Sequence, residues 1–470
     1  MQARHSCFAV RRGQALRRTD VNYNLLTDEV NRRLASPLFD IEPISSFEVA
    51  LQYGCSKRAA KEPVGYRILR MSNLQADGWN LDDLKYVQLE PDEFAKWRLE
   101  RGDIVFNRTN SKELVGKCEV FDEPGDWVFA SYLMRLRVDT SKALPGFVTA
   151  FLNTRAGRSQ IDRESRQIIG MSNINAEEIR TLRVPLPTPP KQKALLAALA
   201  SARAHRKTML ADAETLLSGL DDLIMERLGF PLSDSTNRRV GAVRLRDLQG
   251  PLNPERYLEA SPAAQLRPGK SVPLDVAFKV VEKKVTPSRE GPNTLWKCLR
   301  IDDLGNEPLD PPRPRELRGL DLVGSFFRAQ DGDLLIARLG PPLLNGKIVV
   351  ARQCGDNTVC SPEFLVLRPS QGYDPDVGMW ILRSSAFRRV LYSKSRGSTP
   401  SRYRLIREEL NGVLLPRLTA SQQQELVSEI ASRRQRVRQL RKDAAALWKN
   451  AKVKFEAALV GPSPKIEKGE

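Results

Sequence analysis

Between Lys191 and Leu228 the chain has no proline and a single glycine, Gly219, and its apolar residues return at a helical interval. Leu196, Arg203, Leu210, Leu217 and Ile224 recur every seven residues, with Leu199, Ala213 and Leu220 on the adjoining row. A later stretch repeats the pattern with Leu426, Arg433, Leu440 and Leu447, flanked by Ile430, Val437, Ala444 and Ala451. Four–three spacing held over several turns predicts two long helices, each with a seam that seeks another helix. One seam alone fits an amphipathic helix lying on its own domain. Two matched seams favour pairing with each other.

Ahead of each long helix the period shortens. "GDIVFNRT", "GKCEVF" and "ASYLMRLRV" are short apolar or alternating runs bounded by Gly, Pro and Asp, as are "GDLLIARL", "GKIVVARQ" and "EFLVLRP". Runs of this length predict strands. Helical patches follow, around Phe147 to Arg158 and Val377 to Leu391. Asn175, with Glu178 three residues on, predicts a capping box. "RVPLPTPP" and "VLLPRL" then stop the globular part.

The two halves match at an offset of 230 residues. Gly102-Asp103 answers to Gly332-Asp333, Leu69-Arg70 to Leu299-Arg300, Arg108 to Arg338, and Gly116-Lys117 to Gly346-Lys347. "NAEEIRTLRVPLP" has a looser echo in "REELNGVLLP". Many pairs in one order at one offset mark two diverged copies of one unit. A helix of about 38 residues spans roughly 57 Å, more than one DNA turn of about 34 Å. An antiparallel pair of such helices predicts an approximate two-fold relation suited to a rod-like ligand with two sites.

Composition sharpens the choice of ligand. The 470 residues are 41% hydrophobic, enough for more than one core, and 75 Lys plus Arg against 57 Asp plus Glu give a net charge of +18. Such an excess attracts polyanions, because neutralised phosphates release counterions. The plainer alternative is a generally basic protein with no polyanionic partner. Six cysteines (Cys7, Cys55, Cys118, Cys298, Cys354, Cys360) lack CxxC spacing, which predicts reduced thiols. The basic start "MQARHSCFAVRRGQALRR" has no long apolar core and no stretch could span a membrane, so a cytoplasmic location is expected.

Reactive groups are scarce. The two histidines are His5 and His205, and neither a GxxxxGK[ST] loop nor a Rossmann glycine loop is present. "LDPPRP" (Leu309 to Pro314) has the outline of an amino-methyltransferase motif, but Arg313 replaces the aromatic that stacks on a flipped base. Glu282-Lys283-Lys284 has a nuclease-like shape without a well-placed Asp, and reads as a solvated charge run. The residues predict a chain that binds and does not react.

"LRMSNLQADG", "GDIVFNRTNSKELVGK", "ASYLMRLRV", "GMSNINAEEIRTLRVPLP" and the long helix behind them resemble the DNA-specificity subunit of type I restriction–modification enzymes. The resemblance covers roughly residues 20 to 460, more strongly in the first copy. It implies an α+β fold: two similar mixed α/β target-recognition domains joined by two long antiparallel helices forming a coiled coil, in a pseudo-two-fold arrangement. The domains would be 1–190 with a basic N-terminal arm, and 231–419. The conserved helices would be 191–230 and 420–460, ahead of a flexible tail at 461–470. It further implies a non-catalytic subunit that reads one half of a bipartite site with each domain, the helices setting the spacer and docking two modification subunits. Restriction or motor subunits would complete the complex. This chain would bind no cofactor; S-adenosylmethionine, ATP and Mg are expected on the partners. Where the family commonly shows Glu-Gln after its proline stop, this chain has Lys191-Gln192 and Ser421-Gln422.

The predicted DNA-binding residues are Arg108, Asn110, Lys117, Arg163, Arg166, Ser172 and Asn173 in the first copy. Arg338, Lys347, Arg396, Arg402 and Arg404 are their candidates in the second. Arginine pairs in bidentate fashion with guanine and Asn with adenine, whereas Lys more often holds phosphate. The block around Asn110 and Ser111 could instead stabilise its domain, and the loops Arg163–Asn173 and Ser393–Arg404 could be ordinary basic loops. Leu196, Leu210, Leu217, Ile224, Leu426, Leu440 and Leu447 are the predicted coiled-coil and subunit-docking positions. Three alternatives stay open: a specificity factor of another methylation-based defence system, a stand-alone nuclease or methyltransferase, and a scaffold that binds only protein.

Overall fold

The apolar runs do form strands, and in both copies they form the same sheet. In the first, Glu48–Tyr53, Leu133–Val138, Ile104–Asn107 and Cys118–Val120 make a four-stranded antiparallel sheet in that order. In the second, Phe278–Val280, Phe364–Pro369, Leu334–Ala337 and Ile348–Val350 repeat the order. Every residue of Ile104–Asn107 and of Leu334–Ala337 is buried, as a central strand with both faces covered requires. A second sheet in each copy, three-stranded in the first and five-stranded in the second, contains a parallel pair, Trp127–Phe129 with Tyr66–Leu69 and Thr358–Cys360 with Leu295–Leu299. A two-stranded ladder closes each copy, Ile41–Pro43 with Arg183–Pro185 and Ser271–Pro273 with Leu414–Pro416.

The computed structural model describes residues 21–461 apart from 76–77, 169–170, 231–268, 306–311, 371, 398 and 400–401. The basic N-terminal arm, most of the C-terminal tail and part of "LDPPRP" lie outside the described residues. Each expected helical patch is two helices, Pro145–Leu152 then Arg155–Glu164, and Pro375–Arg383 then Ser385–Ser393. The break falls at Thr154 and Ser384, whose side chains cap the second helix by accepting from Gly157 N and Phe387 N. Asn175 and Glu178 form the reciprocal capping box, each bond 2.9 Å.

The two long helices are Pro189–Arg227 and Ala420–Val460. The chain divides into two compact units, residues 1–209 with 442–470, and 210–441, so each unit takes part of both helices. In unit one Leu199, Phe455, Leu459 and Val460 join Phe147 and Phe151 in one apolar core. In unit two Leu220, Ile224, Leu426 and Ile430 join Phe278 and Phe387. Each large apolar side chain buried this way contributes about 1.5–3 kcal/mol. Pairing is antiparallel within unit two, since partner numbers fall as Glu214 meets Arg441, Gly219 meets Arg433 and Arg227 meets Glu429. Of the predicted seam residues, Ile224, Leu426 and Leu440 are buried and Leu196, Leu210, Leu217 and Leu447 half-buried. The neighbouring row is buried along its length: Leu199, Ala213 and Leu220 are 8%, 1% and 4% exposed, and Ile430, Val437 and Ala444 1%, 0% and 0%. Among the described residues no helix is long and apolar enough to cross a membrane.

Candidate nucleic-acid interface

The two basic loops singled out in the sequence rise from equivalent bases. In unit one Arg166–Ile168 and Met171–Asn173 form a hairpin, with Thr109–Asn110 added as a third strand. Arg166 is anchored by Nε to Glu178 at 3.0 Å. In unit two Arg396 and Arg404 exchange both backbone bonds, at 2.9 and 2.8 Å, and Arg396 is ion-paired with Glu409. Arg404 also reaches Glu363 at 2.9 Å. Glu178 and Glu409 stand at the same place in their copies, on a short helix and a 3-10 turn that follow the hairpin. An arginine at the foot of each hairpin is thus held by a half-buried carboxylate, which fixes the loop but also occupies that guanidinium. Arg402, by contrast, is exposed and forms no ion pair with a described residue.

Arg108 and Arg338 act inside their units. Arg108 donates Nη1 to the Ser131 carbonyl at 3.3 Å and lies 4.9 Å from the centroid of the Tyr53 ring. Arg338 donates Nη1 to the Pro362 carbonyl at 3.4 Å and Nε to Leu405 at 3.2 Å. Their backbones repeat as well, Arg108 N to Tyr132 O and Arg338 N to Glu363 O. Each ties the end of a central strand of the four-stranded sheet to the loop before the neighbouring strand. Lys347 is likewise engaged, donating Nζ to the Leu304 and Gly305 carbonyls. Lys117 is half-buried, its backbone carbonyl accepting from Asn107.

Other predicted residues face inward. Ser172 is 2% exposed because it sits on the middle strand of its three-stranded sheet. Asn173 accepts from the Thr109 hydroxyl at 3.0 Å, and Asn110 folds its side-chain oxygen back on the Ser111 amide at 2.8 Å. Arg163 pairs with Glu164 at 2.7 Å and lies over Tyr23, leaving little of its side chain on the surface. The groups that do face solvent beside Arg108 are aromatic and apolar: Tyr53, Tyr132 and, on the hairpin, Met171. They are not among the predicted residues, although Tyr132 lies in the run "ASYLMRLRV", directly ahead of the strand Leu133–Val138, where a side chain escapes the core. Such rings give a base-stacking surface next to a cation. In the Glu282-Lys283-Lys284 run, Glu282 is ion-paired with Arg407.

The start of each long helix carries a further repeated device. Gln192 is fully buried; its Oε1 accepts from Leu144 N at 2.8 Å, and Nε2 donates to the Lys142 and Pro187 carbonyls, both at 2.7 Å. Gln423 does the same with Asp374 N at 2.7 Å, Gly372 O at 2.9 Å and Leu418 O at 3.3 Å. The residue matching Gln192 is therefore Gln423, one place beyond the Ser421-Gln422 read from the sequence. Buried and three times bonded, it clasps the helix to its own unit.

No protein-family model matches the chain. The putative type I restriction enzyme MjaX specificity subunit of Methanocaldococcus jannaschii is 24% identical over 157 residues, 33% of this chain and 37% of that protein. The type I restriction enzyme EcoKI specificity subunit of Escherichia coli K12 is 24% identical over 211 residues, 42% of this chain and 45% of that protein. Both matches span less than half of the relative's length. A solved chain from work on complex assembly and conformational transition of the type I R-M system is 16% identical, with 90% of this chain and 97% of that one covered, at a TM-score of 0.51. That last likeness is one of fold, and it agrees with the α+β class. The chain is similar to type I restriction enzyme specificity subunits, as the motifs suggested.

Proposed function

We propose that this chain is the non-catalytic DNA-reading subunit of a type I restriction–modification complex, each unit reading one half of a bipartite site in duplex DNA. The observation that carries the reading is the duplication itself. Two units of one plan each raise a basic hairpin on an arginine–glutamate base, in a chain of net charge +18. In this reading two modification subunits, which bind S-adenosylmethionine, dock on the long helices, whose length sets the unread base pairs between half-sites. Restriction subunits supply ATP- and Mg-dependent cleavage, and the complex works in the cytoplasm.

The test is the adenine-methylation pattern of cells that express the chain with a type I modification subunit. A split motif with an undefined middle is expected. Methylation in one uninterrupted motif would point to a specificity factor of another methylation-based system. Methyl transfer by the purified chain alone would replace the reading with that of an enzyme.

A further inference from the structure

Unit two gathers Arg383, Arg388 and Arg434 close to one another, two of them over the Trp380 ring. Gly346 has a φ of 70°, and a Cβ placed on it would stand 3.5 Å from Arg388 Nη1 and 3.9 Å from Arg383 Nη2. Two guanidiniums therefore converge on one point. They line a cavity of about 310 Å³ together with Ser218, Asp221, Asn345 and Trp380. Arg383 donates Nη1 to the Ile348 carbonyl at 2.9 Å and lies over the Trp380 ring at 5.7 Å, with Arg434 over the same ring at 5.3 Å. Burial, then the charges of Arg388 and Arg434, pull the Arg383 guanidinium down to about 10. Burial lowers Arg388 and Arg434 as well, against the opposing pull of Asp221 on the first and Asp376 on the second. The carboxylate in the cavity wall, Asp221, already accepts the Ser385 amide with both oxygens, at 2.9 and 3.0 Å.

Unit one shows what a neutralised version of this place looks like. Asn153 stands where Arg383 stands, and donates to the Cys118 carbonyl, the counterpart of Ile348, at 2.9 Å. Arg158 stands where Arg388 stands, and is paired with Asp162 at 3.4 Å. Glu456 meets the start of the adjoining helix as Asp221 does, accepting from Ala156 N at 2.9 Å. At the position of Asp162 unit two has Tyr392. Asn to Arg adds one positive charge and Asp to Tyr removes one negative, so the second copy is two charges more positive at the same spot.

We propose that the cavity bounded by Arg383, Arg388 and Asn345 is a binding site for a small oxyanion of the phosphate class. Arg388 Nη1 is bonded to the Leu344 carbonyl and Arg383 Nη1 to that of Ile348, and the donors left on the two planar forks match the oxygens of a tetrahedral anion, with Asn345 adding an amide donor. Inorganic phosphate, a phosphomonoester and a nucleic-acid phosphate share this chemistry. The site does not depend on the DNA-reading role.

The full chain is titrated with inorganic phosphate against chloride at matched ionic strength, followed by phosphorus NMR line width and by thermal unfolding. Saturable binding is expected, with a Tm that rises in phosphate and not in chloride. Arg383→Asn, which installs the residue of unit one, weakens binding roughly tenfold or more. Tyr392→Asp does the same while leaving every arginine in place, and serves if the first variant fails to fold. A duplex oligonucleotide displaces the bound phosphate if a nucleic-acid phosphate is the natural occupant, and leaves it if a free phosphate is. An unsaturable response, or unchanged binding in either folded variant, overturns the assignment.

Discussion

Asp103 holds Arg137 at two points, Oδ1 to Nε at 2.6 Å and Oδ2 to Nη2 at 3.1 Å, while Oδ2 also accepts the Glu100 amide at 2.8 Å. Asp333 holds Arg368 in the same way, both bonds 2.9 Å, with the Gln330 amide at 2.8 Å. Both carboxylates are buried, 3% and 0% exposed, directly after a left-handed glycine with φ of 94° and 87°. The Gly-Asp pair that marks the repeat is thus a turn locked to the neighbouring strand of the four-stranded sheet. Only glycine adopts that φ without strain, and only a short carboxylate reaches both the turn amide and the arginine.

Loss of that lock should cost stability in either unit. Asp333→Asn keeps an acceptor for the Gln330 amide but leaves the guanidinium without a charge partner. Because Arg368 is partly exposed, the expected cost is about 2–3 kcal/mol. A urea midpoint equal to that of the parent chain would remove the pair from the stability account.

The buried glutamines give a sharper discrimination. Gln192→Ala orphans one amide and two carbonyls, at an expected cost of about 2–4 kcal/mol. Gln192→Glu should be worse, since it turns a carboxylate toward the Lys142 and Pro187 carbonyls that now receive a donor. Equilibrium unfolding orders the variants; a glutamate variant more stable than the alanine variant contradicts the clasp.

Caps from the long helices should act locally. Glu456→Gln weakens the anionic cap on Ala156 N, and Asp221→Asn that on Ser385 N, each by about 1 kcal/mol. Hydrogen exchange reads the result. Amides at 155–157 quicken in the first variant, those at 385–387 in the second, and exchange that changes instead throughout both units would speak against a local cap.

Arginines of the hairpin proposed to meet DNA and of the central-strand end should separate by assay. Arg402→Ala is expected to lower the affinity of the assembled complex for duplex DNA and to reduce the salt slope by about 1, with stability unchanged. Arg338→Ala should instead destabilise unit two, because it leaves the Leu405 and Pro362 carbonyls without their donor. Reversal of the two phenotypes would exchange the roles given to these residues.

Much of this architecture is written in local pattern. Seven-residue spacing marked both long helices, alternation marked the strands, and Asn175 with Glu178 announced a cap that is present with both bonds. The repeat at one offset gave the paired sheets, down to Asp103 and Asp333. These features depend on residues a few positions apart, or on two copies solving one packing problem in one way.

The use of the charged side chains was hidden by the same logic. Arg108, Arg163, Arg338 and Lys347 have the composition of a ligand grip, yet carbonyls and a carboxylate of their own unit take them up. A guanidinium in a sequence does not announce whether its partner is a carbonyl 67 residues away, as for Arg338 and Leu405, or an outside phosphate.

Chain periodicity alone established two copies, two long helices and the turns that end the strands, because those follow from backbone geometry and nearest-neighbour sterics. Folding in space settled which stretch completes which unit: Glu456 caps a helix 300 residues earlier, and Asp221 one 164 residues later. It also left Arg383 and Arg388 facing one cavity without the counter-ion that Asp162 gives Arg158. Such pairings arise where burial forces distant charges together, and no local spacing encodes them.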